Sequence, residues 1–231
     1  VIINEVTGRP KSGVTLYGIN SDVYSLTVLP NKSYVVAGAF TSPSAHRYVT
    51  KLEADGTLAT DSWATSPPGG TNTTARATAL SRDGTKVYVG GAFTTIAGTT
   101  NRYIARFDLD GTVDSSFTAP TWPNSSDIKV IAELPNGQIY IGGTFVNINP
   151  NHFNNNFARL NHDGSVDTSF ATEVSGIVES IIIHSDGSAH ITGAFHQING
   201  APLTRIAKLK PDGSLDISFT PPTVNSIIYS S

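Results

Sequence analysis

The stretch Asp83–Phe117, DGTKVYVGGAFTTIAGTTNRYIARFDLDGTVDSSF, decides the fold. It opens on an Asp-Gly turn and runs through an alternating apolar strand that closes on Gly90-Gly91-Ala92-Phe93. A polar loop, a second strand at Tyr103–Phe107 and another Asp-Gly turn at Asp110-Gly111 follow. The same phrase recurs along the chain. The small-residue close ends at Phe40, Phe93, Phe145 and Phe195, at intervals of 53, 52 and 50 residues. The second turn recurs at Asp55-Gly56, Asp110-Gly111, Asp163-Gly164 and Asp212-Gly213. Each is followed by Ser and an aromatic: Ser62-Trp63, Ser116-Phe117, Ser169-Phe170 and Ser218-Phe219. A fixed period of this length marks a repeat architecture.

Each copy reads as four strands. The first is apolar: Val23–Leu29, Ala75–Leu80, Ile128–Leu134 and Ile177–His184. A tight turn follows, in three of the copies Asp-Gly or Asn-Gly, residues that accept the positive φ a hairpin needs. The second strand closes on glycine, where neighbouring backbones crowd. The third covers Tyr48–Leu52, Tyr103–Phe107, Phe157–Leu160 and Arg205–Leu209, and a short outer strand completes the unit. A repeated four-stranded antiparallel unit of this size predicts an all-β fold, a β-propeller. The copies span about 21–70, 71–120, 121–173 and 174–222. Residues 1–20 and 223–231 are expected to share a closing fifth blade, so that 1–231 is a single domain; the alternative is part of a larger ring. Closure removes the sheet edges that invite aggregation.

Gly-Gly-Ala-Phe or Gly-Gly-Thr-Phe, then Ile-Ala-Arg-Phe or Phe-Ala-Arg-Leu, then an Asp-Gly turn leading to Ser-Phe, resembles the delta-60 repeat family. That resemblance, strongest over Gly84–Phe117 and Gly137–Phe170, implies a β-propeller of bacterial and phage extracellular type and carries no shared catalytic motif. The first copy departs from the pattern, with an extra residue and Trp63 in place of the Phe.

Composition bounds the function. Charged residues are 14% of the 231, the formal charge is -3, and there are 21 Gly and 13 Pro. A chain without a basic footprint is a poor partner for nucleic acid or an anionic membrane. No apolar run is long enough to span a bilayer. The absence of Cys excludes disulfides and thiol chemistry. The chain starts at Val1 and has no Met, as expected of a processed product or a domain of a longer protein.

Up-and-down strands put the tight turns on one face and the long connections on the other, and loops on a rigid scaffold are where binding residues collect. The candidates lie there: Trp122 in a Pro-flanked connection, His152, Phe153, Asn154 and Asn155 in the Asn-rich segment 147–157, and His196. Amides suit sugar hydroxyls because they both donate and accept. Trp122 reads equally as an aromatic platform or as packing, and Trp63 as packing. His46, His152 and His196 occupy comparable loops, but the second copy has no His there, which favours scattered surface histidines over a metal site. Asp108, Asp110 and Asp114 have calcium-loop spacing. An Asp-Gly turn accounts for them too, since Ala54, His162 and Pro211 precede the other turns. The recurring Lys51, Arg106, Arg159 and Lys208, with Asp114, Asp167 and Asp216, are expected to pair blade to blade. No phosphate loop, Gly-x-Ser-x-Gly or His-Glu-x-x-His motif is present.

These features point to a non-enzymatic, extracellular, cell-surface or virion recognition module without a cofactor, binding a glycan or protein receptor as part of an adhesin or phage tail protein. The alternatives are a scaffold docked to flanking domains and a polysaccharide-active enzyme.

Overall fold

The computed structural model describes residues 19–42, 47–61, 63, 71–99, 101–122, 125–148, 155–203 and 205–221. Four three-stranded antiparallel sheets follow one another along the chain. They are β1 (Val23–Val28), β2 (Tyr34–Gly38) and β3 (Val49–Leu52); then β4 (Ala75–Leu80), β5 (Lys86–Gly91) and β6 (Ile104–Asp108). The third holds β7 (Asp127–Glu133), β8 (Ile139–Thr144) and β9 (Phe157–Leu160). The fourth holds β10 (Val178–Ile183), β11 (Ala189–Gly193) and β14 (Ile206–Leu209). A small hairpin, β12 (Gln197–Ile198) with β13 (Ala201–Pro202), rises from the last long connection, where the sequence predicts only loop. The outer strand expected after the second turn is reduced to single bridges: Leu52 to Leu58, Phe107 to Val113, Leu160 to Val166 and Leu209 to Leu215.

The turns form for a local reason. Each leading Asp or Asn accepts a hydrogen bond from the backbone N–H two residues on, as Asp83 does from Thr85 (3.0 Å), Asp110 from Thr112 (2.9 Å) and Asn136 from Gln138 (3.1 Å). The glycine between them takes positive φ.

Side-chain alternation then sends each strand's apolar residues to both faces. Val87 and Val89 of β5 join the core with the first sheet, while Tyr88 between them joins the core with the third. Ile139 and Ile141 of β8 face the second sheet, and Tyr140 faces the fourth. The three large cores therefore lie between sheets. The inner strands β1, β4, β7 and β10 pack in that order, each against the next.

Two repeated features lock neighbours together. The aromatic after Ser sits on the turn glycine of the following copy. A Cβ on Gly111 would lie 2.9 Å from the Trp63 ring, and one on Gly213 2.2 Å from the Phe170 ring. The recurring basic residue forms its ion pair within its own copy: Arg106 to Asp114 (2.8 Å), Arg159 to Asp167 (2.7 Å), Lys208 to Asp216 (3.3 Å), and Lys51 to Asp61. This corrects the expected blade-to-blade pairing. Asp114 and Asp167 lie eight residues beyond their arginines, across the second turn of the same copy. Arg106 Nη2 donates to Ser116 of its own copy (3.1 Å), while Nη1 of each arginine crosses the boundary. Arg106 donates to the His162 carbonyl (2.6 Å) and Arg159 to that of Asp212 (3.3 Å).

Burial pushes the Asp114 carboxyl up. Hydrogen bonds from Ser116 and the cations Lys86 and Arg106 outweigh it and hold the group well below the usual carboxylate range. Asp167 is lowered in the same way by Ser169 and Arg159.

Two predictions follow from these contacts. Gly111→Ala must take φ 91 and displace Trp63, whereas Gly98→Ala at φ 68 meets nothing within 4 Å. In urea unfolding, Gly111→Ala should cost roughly 2–4 kcal/mol and Gly98→Ala about 1–2 kcal/mol. Equal losses would disprove the packing role. The depressed carboxylates stabilise the fold above their unfolded pKa of about 3.9, and that stability drains away as pH falls below it. Asp114→Asn should be less stable at neutral pH and lose less on acidification, read as unfolding midpoints between pH 7 and pH 2.

Candidate functional site

Each inner strand is interrupted at the same place. The register slips between Val23 and Ser25, Ala75 and Ala77, Ile128 and Val130, and Val178 and Ser180. The glycine of the small-residue close makes room for this bulge. At Gly38, Gly91, Gly143 and Gly193, an added Cβ would lie 2.1–2.4 Å from the carbonyl oxygen of Asp22, Thr74, Asp127 or Ile177. No residue with a side chain fits there. A bulge re-aims a side chain, and here the re-aimed residues are Tyr24, Arg76, Lys129 and Glu179.

These four line one cavity of about 320 Å³ on the axis around which the inner strands pack. They stand near the beginning of each inner strand, at the end of the axis from which the long connections emerge. The Arg76 guanidinium lies 5.0 Å over the Tyr24 ring, and its Nε donates to the Asp127 carboxylate. Lys129 Nζ donates to Glu179 at 2.8 Å. Burial raises the Asp127 carboxyl above its ordinary value, against the lowering effect of Arg76 and Lys129. Its Oδ1 is buried without a hydrogen-bond partner among the described residues. The two cations and two carboxylates cancel. The cavity thus offers an aromatic ring, the N–H donors of Arg76 and Lys129 and the Glu179 carboxylate, and the half-buried Asp127 balances the charge. At 300 Å³ and above it falls in the range of small-molecule sites.

Two other hollows lie between neighbouring copies, of about 430 Å³ beside Thr118–Thr121 and about 210 Å³ beside Asn136 and Asp186. Each gathers a single charged side chain, Asp163 or Asp186.

Of the binding residues singled out from sequence, Trp122, Asn155 and His196 lie among the described residues. Trp122 is 6% exposed and meets Tyr103 and Phe145 edge-on, at 5.2 and 5.8 Å between centroids. Its ring is occupied by packing rather than held open as a platform. Trp63 is buried against Phe107 and donates its indole N–H to the Leu109 carbonyl (3.0 Å). Asn155 is half-buried and accepts from the Asn147 N–H (3.3 Å), and His196 is exposed beside the β12–β13 hairpin. His46, His152, Phe153 and Asn154 lie outside the described residues. The three acids with calcium-loop spacing are each engaged. Asp108 pairs with Lys86 (2.7 Å), Asp110 closes its turn, and Asp114 holds Arg106. Among the described residues no group of three His, Asp or Glu is placed to hold a metal ion.

The axial set was missed, although the sequence carries a signal for it. A polar or charged residue directly follows an aliphatic one (Val23, Ala75, Ile128 or Val178) near the start of each first strand, and its type changes from copy to copy.

Residues 86–117, 134–170 and 184–219 match a family model described as a domain of unknown function (DUF5122) beta-propeller. No curated protein matches the chain. Among solved structures, PorZ, a bacterial surface component of the type-IX secretion system of Porphyromonas gingivalis, is similar at 11% identity and a TM-score of 0.51, covering 97% of this chain and 31% of PorZ. The extracellular domain of a putative one-component system from B. thetaiotaomicron is similar at 13% identity and TM-score 0.50, covering 91% of this chain and 24% of that one. A protein of unknown function from Bacteroides caccae aligns at 11% identity and TM-score 0.43, over 84% of this chain and 65% of the other. The chain thus spans less than two thirds of each of these structures, and its fold is a β-propeller.

The axial ion pair is testable by a double-mutant cycle. Arg76→Met leaves the half-buried Asp127 without its cation and should lower stability by about 1–3 kcal/mol. Adding Asp127→Asn should recover part of that loss, giving a coupling on the order of 1 kcal/mol in urea unfolding. Strict additivity would show that the pair does not organise the cavity.

Proposed function

We propose that the protein is a non-enzymatic recognition module that takes a neutral, hydroxyl-rich ligand, a glycan of a cell or virion surface, into the axial cavity. One observation carries this reading. At the bulge position, four otherwise similar copies present four different side chains, Tyr24, Arg76, Lys129 and Glu179, to a single cavity. Packing positions in the same copies repeat their residue type, so this position is under a different demand. The chemistry is complementary to a sugar. Tyr24 offers a face to C–H groups, Arg76 and Lys129 offer N–H donors, and the Glu179 carboxylate offers an acceptor for a hydroxyl. Charge compensation favours a neutral saccharide over a strongly acidic one. An extracellular setting, as a segment of an adhesin or phage tail protein of delta-60 type, agrees with the absence of Cys and with the surface location of two structural neighbours.

A second reading draws on the short span of the chain within its neighbours, 24% and 31% of their lengths. There the propeller is a scaffold that docks flanking polypeptide and is indifferent to sugars.

A glycan array probed with the purified protein separates the two. The recognition reading expects a specific hit that weakens at least tenfold, roughly 1.4 kcal/mol, in Tyr24→Ala and in Arg76→Met. The hit should persist in Ile217→Ser, a change at an 87% exposed side chain away from the axis. Silence of the wild type toward all arrayed sugars at high protein concentration would overturn the glycan reading and leave the scaffold.

A further inference from the structure

The fourth copy departs from the others at two positions, and the two side chains placed there touch. The residue whose carbonyl accepts the N–H that closes the first tight turn is Leu29, Ser81 or Leu134 in the first three copies, and His184 in the fourth. The residue opposite the recurring Lys or Arg of the third strand is Val35, Tyr88 or Tyr140, and His190 in the fourth. In the earlier copies these positions serve packing or the turn. Leu29, Val35, Tyr88, Leu134 and Tyr140 are buried in the cores, and the Ser81 hydroxyl donates to Asp83 of its turn (2.6 Å).

In the fourth copy both are imidazoles, with His184 Nε2 and His190 Nδ1 2.6 Å apart and the ring planes at 82°. The hairpin dictates this contact. β10 and β11 pair Ile182 with His190 and Ile183 with Ala189, so His184 falls opposite Ser188. That puts it on the same face as His190, one diagonal step away. The turn between them is closed by Asp186, which accepts from the Ser188 N–H (2.9 Å), and so the two strands hold the rings in place.

Whichever ring donates in this contact, the other presents a lone pair, and both nitrogens point into the same space. Two imidazole nitrogens bound at roughly 2.0–2.1 Å to one ion in neighbouring coordination positions stand about 3 Å apart. A small opening of the pair therefore turns the hydrogen bond into a chelate. The shared proton moves to the outer nitrogen of its own ring, so a neutral pair binds without net proton release. The charged groups around the rings are Lys208, which lies opposite His190 and pairs with Asp216 at 3.3 Å, and Asp186 in the turn. Burial, His184 and Lys208 together lower the His190 pKa, which keeps that ring neutral at pH 7. Among the described residues both rings are half-buried and within reach of solvent.

We propose that His184 and His190 form a two-histidine chelate for a divalent transition-metal ion. Imidazole suits nickel, copper and zinc, whereas calcium and magnesium require oxygen ligands. Water completes the coordination. The site lies at the tight-turn end of β10, opposite the end where Glu179 lines the axial cavity, and it is independent of the glycan reading.

Titration calorimetry of the tag-free protein with nickel chloride tests it. One equivalent should bind at pH 7, and copper chloride should bind more tightly than nickel or zinc chloride. Nickel affinity should fall at least about tenfold between pH 7 and pH 5, as protons compete for the imidazoles. His184→Gln and His190→Gln should each weaken nickel binding roughly a hundredfold, and His196→Gln should leave it unchanged. The unmutated protein gives a readout free of any disturbance to the hairpin. Substoichiometric copper(II) should broaden the ring-proton NMR signals of His184 and His190 before those of His162. Absence of nickel and copper binding by the wild type would overturn the proposal, as would binding that survives in both glutamine variants or broadening confined to other histidines.

Discussion

Among the described residues, the three-stranded sheets carry apolar side chains on both faces, and such a sheet is stable only between two others. Side-chain alternation makes this unavoidable: Tyr88 and its neighbours Val87 and Val89 must all leave water, in opposite directions. Packing each sheet against the next satisfies both faces and builds the cores between copies rather than within them. Exposed Leu26, Val28 and Ile182 at the ends of the stack are the same demand left unmet among the described residues.

Contacts across the boundaries explain why particular residues repeat. The glycine of the second turn is there because the preceding copy's aromatic ring occupies the space a Cβ would need. The basic residue of the third strand neutralises an acid of its own copy, and in Arg106 and Arg159 another N–H group donates to a carbonyl of the next. One side chain thereby ties local turn geometry to the spacing between sheets. Removing one member of so buried a pair strands a charge, which costs more than the pair itself contributes.

The axial cavity is a consequence of the same economy of space. Gly38, Gly91, Gly143 and Gly193 let the inner strand bulge toward its neighbour, and the bulge turns one residue per copy out of the packing pattern. Freed from the cores, that position carries a phenol, a guanidinium, an ammonium and a carboxylate in successive copies. Rigid sheets hold these groups in place, so a ligand would meet them already oriented.

Period and turn chemistry in the sequence were enough to determine the class of fold and most strand positions. Val23–Leu29 against Val23–Val28, and Phe157–Leu160 against itself, show how closely Asp-Gly turns and alternation locate strands. Those signals are local, and local physics enforces them. What depended on the third dimension was out of their reach. Trp122 looks like an open aromatic in its Pro-flanked connection, yet Tyr103 and Phe145, remote in sequence, enclose it. Tyr48, Tyr103, Asn156 and Arg205 take positive φ at one repeated position, a conformation that Tyr and Arg give no reason to expect. Tyr24, Arg76, Lys129 and Glu179 stand about fifty residues apart and read one at a time as ordinary polar interruptions. Only the rotation of one sheet against the next brings them to a common axis, because convergence is a property of the packing and not of any strand.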